Sequence, residues 1–190
     1  MRRARPFALA LALGIALPAW AADAEAGKRK AEPCAACHGA AGVSTNAQFP
    51  SLAGEPPLYV YYQLLNFRDG RRKNDVMVPF VATMADEDMK DIAAYYAAQA
   101  RGPGREVEPA IADAGKAVEA RNHCGSCHMP DFSGQKHIPR LAGQHYDYLV
   151  KSLRGFKSNT RADLDGTMSE AAQPLSEKDI TDVAAWLAAR

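Results

Sequence analysis

The sequence predicts an all-α protein made of two similar helical modules in tandem, and three observations predict it. Apolar residues recur at three- and four-residue spacing, and no convincing alternating strand appears. The second half restates the first: "AEAGK" (24–28) returns as "ADAGK" (112–116), "CAACH" (34–38) as "CGSCH" (124–128), "PSLAG" (50–54) as "PRLAG" (139–143) and "DIAAYY" (91–96) as "DVAAWL" (182–187). Between the copies, "RGPGREVEP" (101–109) breaks any helical pattern with two glycines and two prolines. The offset between copies stays between 88 and 91, so insertions are small and equivalent residues can be paired.

Residues 1–22 read as a secretory signal peptide. Arg2, Arg3 and Arg5 precede an apolar run over 7–17, and Ala19-Trp20-Ala21 fits a small-residue cleavage site. That run is too short to span about 30 Å of hydrocarbon, so cleavage is expected rather than retention as an anchor. The mature chain keeps 20 basic and 22 acidic residues, a formal charge of −2. This balance gives a nucleic-acid partner no electrostatic support. No later stretch approaches the length of a membrane helix, so an exported, soluble protein is expected, in the periplasm.

The first module is expected over 23–101, the linker over 102–109 and the second module over 110–190. Each opens with a helix, over 23–31 and 110–121. Pro56 and Pro57 suit the first turn of a second helix, which carries Leu58, Tyr61, Leu64 and Leu65 at helical spacing and ends near Gly70. Its counterpart runs over about 145–157, with Tyr59, Leu64 and Phe67 answered 89 residues later by Tyr148, Leu153 and Phe156. The last helix places Asp86, Glu87 and Asp88, or Ser176, Glu177 and Asp179, near its N-terminus, where acids suit the helix dipole. Its core face is Met89, Ile92 and Tyr96, or Ile180, Val183 and Leu187. Modules of this size have thin cores and need a staple or a cofactor at the centre.

All four cysteines lie in C-x-x-C-H motifs: Cys34, Cys37 and His38, then Cys124, Cys127 and His128. A redox dithiol is expected near a βαβ pattern, which the chain lacks, and the two pairs are too far apart for the common four-cysteine zinc corner. A bare Cys34–Cys37 disulfide would close a very short loop and staple almost nothing. Repeated in equivalent positions of an exported helical chain, the motif points to covalent c-type haem, one per module. Two thiols on one helical turn can add to two vinyl groups of one macrocycle, with the adjacent histidine beneath the iron.

The second axial position decides between electron transfer and an open site. The candidates are Met77, Met84 and Met89 in the first module and Met129 and Met168 in the second. Counted back from the final helices, Met77 aligns with Met168, whereas Met84 aligns with Leu175 and Met89 with Ile180. Only Met77 and Met168 are methionine in both copies; Met84 and Met89 then read as core fillers. Met129 abuts His128 and cannot easily reach the opposite haem face. Pro50 and Pro139 follow the proximal histidines by twelve and eleven residues, and their carbonyls are candidates to accept the Nδ1 proton. A simple turn role is the alternative. His123, His137 and His145 have no repeat partners and read as surface or packing residues, with a ligand role for His123 or His137 as the minor alternative. Arg68, Arg71, Arg72 and Lys73 form a basic run ahead of Met77, a candidate docking patch against the usual reading as a solvated helix end.

Two modules, each with C-x-x-C-H, P-x-L-A-G and a methionine ahead of the final helix, resemble the dihaem cytochrome c4 family, and 77–96 ("MVPFVATMADEDMKDIAAYY") is especially similar to its first-domain ending. The resemblance covers essentially the whole mature chain. It implies two tandem class I cytochrome c folds, packed together with haem propionates near the interface. It also implies thioether links at Cys34, Cys37, Cys124 and Cys127, and axial pairs His38 with Met77 and His128 with Met168. One departure is local: "MSEAAQPLSEKD" (168–179) lacks the Val-Pro-Phe that follows Met77.

The expected function is single-electron transfer by a periplasmic carrier, not an enzyme. A respiratory donor such as a bc1-type complex and an acceptor such as a terminal oxidase would be its partners, with at most loose association with the membrane face. The rivals are a dihaem enzyme of peroxidase or thiosulfate dehydrogenase type, which needs an open or non-methionine site, and the cytochrome subunit of a flavin dehydrogenase complex.

Overall fold

In the computed structural model, residues 22–104 and 106–190 are described; all of the expected signal peptide except Ala22 lies outside the described residues. Five helices of the first half are α1 (Ala24–Lys30), α2 (Ala35–His38), α3 (Pro57–Arg68), α4 (Val78–Val81) and α5 (Asp86–Ala97). The second half repeats them as α6 (Pro109–Asn122), α7 (Gly125–His128), α8 (Tyr146–Lys157), α9 (Thr167–Ala172) and α10 (Glu177–Ala188). Among the described residues there is no strand, only an isolated bridge between Gln135 and Ile138.

Side-chain caps fix where two of the helices start. The Asp23 carboxylate accepts the N–H groups of Glu25 and Ala26 at 2.9 and 3.0 Å, and Ser176 with Asp179 forms a capping box ahead of α10. Prolines at the first turns of α3 and α6 forfeit an N–H that would have no helical partner. The short α4 and α9, not expected from the spacing, lie directly behind Met77 and around Met168.

In each half the first helix packs on the last, α1 on α5 and α6 on α10. Glycine permits the approach. A Cβ on Gly27 would sit 1.9 Å from the Asp91 carbonyl oxygen, and one on Gly115 would sit 2.3 Å from the Trp186 Cβ. These are the glycines of "AEAGK" and "ADAGK", so the repeated motif is a helix-crossing motif.

Two separate apolar cores result. One gathers Tyr59, Val60, Leu64, Phe67, Val81, Met89, Ile92 and Tyr96; the other gathers Phe132, Leu149, Val150, Leu175, Ile180, Val183 and Leu187. Of the four apolar residues whose spacing marks α3, only Leu64 is buried: the buried residues are Tyr59, Val60, Leu64, Asn66 and Phe67, while Leu58, Tyr61 and Leu65 stay partly exposed. Apolar side chains surround this helix on all sides, so spacing alone does not choose its inner face. Part of its surface instead meets the second module.

A volume exchange distinguishes the cores. Gly42 adopts φ 79°, and a Cβ there would meet the Tyr96 ring at 2.7 Å. The equivalent pair in the second half is Phe132, still at φ 57°, with Leu187. The smaller leucine leaves room for the Phe132 ring, which packs edge-on to Trp186 at 5.0 Å. Large and small have traded places across one contact, which keeps core density.

The two halves meet through contacts that come in reciprocal pairs. Arg72 Nη2 donates to the Tyr148 hydroxyl and Arg161 Nη2 to the Tyr59 hydroxyl, both at 3.2 Å. Each arginine lies over a phenylalanine of its own half, Phe67 at 4.5 Å and Phe156 at 4.6 Å. Each also donates to a residue of its own α3 or α8, Gln63 or Ser152. The pairs 59/148, 63/152, 67/156 and 72/161 all share the offset of 89, so the interface has the form of an approximate twofold.

Candidate haem sites

The C-x-x-C-H residues sit on a tight bend in each half. In the first, Glu32 and Pro33 open a 3-10 turn (Glu32–Cys34) that runs into α2, putting Cys34, Cys37 and His38 on consecutive turns. In the second, Cys124 caps α7, which ends at His128. None of the four cysteines is paired in a disulfide. Burial pushes the Cys34 and Cys124 thiols up from their ordinary values.

Both histidines are buried, 6 % and 7 % exposed. His38 Nδ1 donates to the Pro50 carbonyl at 2.8 Å and His128 Nδ1 to the Pro139 carbonyl at 2.8 Å. Burial holds both imidazoles below the ordinary histidine value, with the proline carbonyls opposing it. The neutral ring with Nδ1 protonated leaves the Nε2 lone pair as the metal-binding atom. His38 Nε2 is buried and has no hydrogen-bond partner. An orphaned buried nitrogen of this kind suits a bond to iron and is costly otherwise.

The residue after each histidine turns the chain sharply. Gly39 has φ 80°, ψ 151° and Met129 has φ 72°, ψ 154°. A Cβ on Gly39 would lie 2.2 Å from the Val43 carbonyl oxygen. Met129 is exposed, so no burial offsets this strained backbone.

Met77 is half-buried at the start of α4, its N–H bonded to Asn74, and it packs with Cys34 against the first core. Met84 packs there too, and Met89 is completely buried. Met168 is half-buried on α9, its N–H donated to Asp163 at 2.5 Å. Val76, Val78 and Phe80 expose apolar surface around Met77, whereas Thr167 and Ser169 flank Met168. His123 and His137 are exposed; His123 is the left-handed cap of α6.

Two sequence expectations change here. The basic run does not form one patch: Arg68 bonds Asp86 at 2.6 Å and the Met84 carbonyl at 3.0 Å, and Arg72 turns into the module interface, leaving Arg71 and Lys73 exposed. His145 is more than a surface residue, since its Nε2 donates to the Ser44 carbonyl of the first half at 2.9 Å. Sequence reasoning also passed over Glu55, Arg140 and Gln144, all buried between the halves. The offset of 89 pairs Glu55 with Gln144, a signal that was available.

Residues 112–190 match the family model described as cytochrome c, and residues 21–95 match the one described as cytochrome c oxidase, cbb3-type, subunit III. Such domains carry covalent haem c, and the cysteine pairs of both halves fit it. The chain is 37% identical to cytochrome c4 of Pseudomonas aeruginosa, over 94% of each chain. It is 33% identical to a thiosulfate dehydrogenase electron acceptor of Stutzerimonas stutzeri, over 96% of this chain and 93% of that one. Its fold matches the crystal structure of reduced recombinant cytochrome c4 from Pseudomonas stutzeri with a TM-score of 0.83, at 33% identity, covering 88% of this chain and 98% of the other. Two cytochrome c domains, matched along nearly their whole length by cytochrome c4 relatives, make this chain an electron carrier and a member of the cytochrome c4 family.

Proposed function

We propose that the mature chain is a periplasmic dihaem carrier that passes single electrons from a respiratory donor, such as a bc1-type complex, to a terminal oxidase. Its modules span 23–101 and 110–190, joined by 102–109. Cys34 and Cys37 hold one haem c and Cys124 and Cys127 the other, with His38 and Met77, and His128 and Met168, as axial pairs. The iron supplies one-electron chemistry at a potential that a methionine ligand raises. The chain's own groups do the rest. Pro50 and Pro139 fix the imidazole planes, and burial keeps both rings neutral.

The observation that carries this reading is the histidine-to-proline bond, 2.8 Å in both halves, which leaves Nε2 of His38 buried and unpartnered. The apolar side chains of Val76, Val78 and Phe80 supply a face for a redox partner at the Met77 edge. Met77→His and Met168→His test the axial pairs. Each is expected to lower one midpoint potential and leave the other nearly in place. Unchanged potentials and visible spectra in both variants would refute the assignment.

The resemblance to a thiosulfate dehydrogenase electron acceptor favours a second reading of the donor: thiosulfate dehydrogenase itself would reduce this chain. A methionine at the same repeat position in each half supports a carrier over a thiosulfate-oxidising enzyme. Stopped-flow reduction by a purified thiosulfate dehydrogenase, set against thiosulfate alone, separates the two roles.

A further inference from the structure

The amide that anchors each buried histidine is gripped on its other side from the opposite module. In the peptide unit joining Pro50 to Ser51, the carbonyl accepts from His38, while the N–H donates to Gln144 Oε1 at 2.9 Å. Gln144 Nε2 donates back to the Ser51 carbonyl at 2.9 Å. In the unit joining Pro139 to Arg140, the carbonyl accepts from His128, while the N–H donates to Glu55 Oε2 at 2.9 Å. Ser51 and Arg140, and likewise Glu55 and Gln144, are repeat equivalents, and all four are buried.

We propose that Glu55 and Gln144 are exchanged positioning residues: each, through a single amide, orients the axial histidine of the other module and sets that module's potential, and the Glu55 carboxyl makes the second potential depend on its protonation. The proposal rests on the reading of His38 and His128 as axial ligands.

The physics is that of hydrogen bonds in series. A negative acceptor on the N–H of an amide polarises it and makes its carbonyl a stronger acceptor. The Pro139 carbonyl then draws harder on the His128 Nδ1 proton, and a more electron-rich imidazole favours the oxidised state of whatever metal Nε2 binds. A neutral acceptor does this less. Gln144 is neutral at every relevant pH, so the first module is held at one setting. Glu55 occupies the equivalent place in the second. Its protonated carboxyl has the acceptor and donor of an amide, so the O–H can serve the Arg140 carbonyl as Gln144 Nε2 serves that of Ser51.

The surroundings keep that neutral form populated up to near neutrality. Burial raises the Glu55 carboxyl to about 7, against the opposing charge of Arg140, the bond from the Arg140 N–H and the charge of Arg161. Tyr59 is the other titratable group facing it, and Arg101 lies close enough to act on Arg140. The Arg140 guanidinium is spent on the Ala142 carbonyl, with Nε and Nη2 left unpartnered. Reduction of the second module by one electron from the donor therefore draws a proton from water toward Glu55. Oxidation returns the electron to the acceptor and the proton to water.

The test is spectroelectrochemistry of the holoprotein between about pH 6 and 8, where the raised carboxyl titrates. Wild type is expected to show one potential that falls with rising pH and one that is nearly flat, with Met168→His identifying the falling one as the second module. Glu55→Gln, which keeps an amide like that of Gln144, is expected to abolish the slope without loss of folding. Gln144→Glu is expected to give the first module a slope of its own. Redox-difference infrared spectra should carry a protonated-carboxyl band that Glu55→Gln removes. Two flat potentials in wild type, or a slope that survives Glu55→Gln, overturn the proposal. If Met168→His moves neither potential, the axial reading itself fails, a result distinct from the Glu55→Gln outcome, which is read with wild-type ligands.

Discussion

Arg161 of the second module donates to the Tyr59 hydroxyl of the first at 3.2 Å, and this bond has a counterpart in which Arg72 donates to Tyr148. Arg161 Nε is buried without a partner, so the tyrosine is one of few groups offsetting its desolvation. Tyr59→Phe is expected to cost about 1–3 kcal/mol, the usual penalty for stranding a buried donor. Chemical denaturation of the holoprotein measures it. A change within error would show that water replaces the hydroxyl.

Gly27→Ala and Gly115→Ala each force a methyl into a neighbouring helix, against the Asp91 carbonyl in one case and Trp186 in the other. Each is expected to lose about 1–3 kcal/mol, as overpacked sites do. Separate unfolding transitions for the two modules would show the loss confined to the mutated half.

Met129→Gly should stabilise the second module, by about 1–3 kcal/mol, because it relieves a backbone conformation that suits glycine. Gly39→Ala should do the reverse in the first module, where the added Cβ also meets the Val43 carbonyl. Melting temperatures of the two holoprotein variants, moving in opposite directions, are the expected readout.

Stability should depend on pH in two opposite steps. Glu55 is raised in the folded state to about 7 from 4.5, so its contribution is fully present below about pH 4.5 and is lost as pH rises toward 7. The loss is on the order of 3 kcal/mol, and Glu55→Gln should remove it. Burial alone would raise the Tyr148 phenol, but Arg161 and Arg72 bring it down to about 7 from 10.0. Its contribution is present above about pH 10 and is lost as pH falls through 7. Tyr148→Phe should flatten that upper limb in a pH series of denaturation curves.

Most of the helical plan is legible in the chain because most of the helices carry a local marker. Pro57 marks a first turn, Ser176 heads the acidic start of α10, and Met89, Ile92 and Tyr96 mark a one-sided helix that needs no outside information; Pro109, read as linker, is instead the first residue of α6, and Asp23, read as helix, is the cap of α1. The face of α3 is not legible, since its apolar residues serve two neighbours and the second is in another module. The cysteine motifs and the buried histidines are local as well, and so are readable. Glu55, Arg140 and Gln144 are not, because their role exists only once residues far apart in sequence share an amide. Arg72 likewise looks like surface charge until Tyr148 of the other module meets it.

The approximate twofold between the modules bears on how such a chain arises. A surface that pairs with its own copy is what a homodimer presents. Joining two copies through the short linker 102–109 makes that association intramolecular and independent of concentration. It also releases the copies from identity. A homodimer encoded once must change both faces together, whereas the joined chain holds glutamate on one side and glutamine on the other, and glycine beside tyrosine in one core with phenylalanine beside leucine in the other. A joined pair can thus divide one self-matching surface into two that specialise separately.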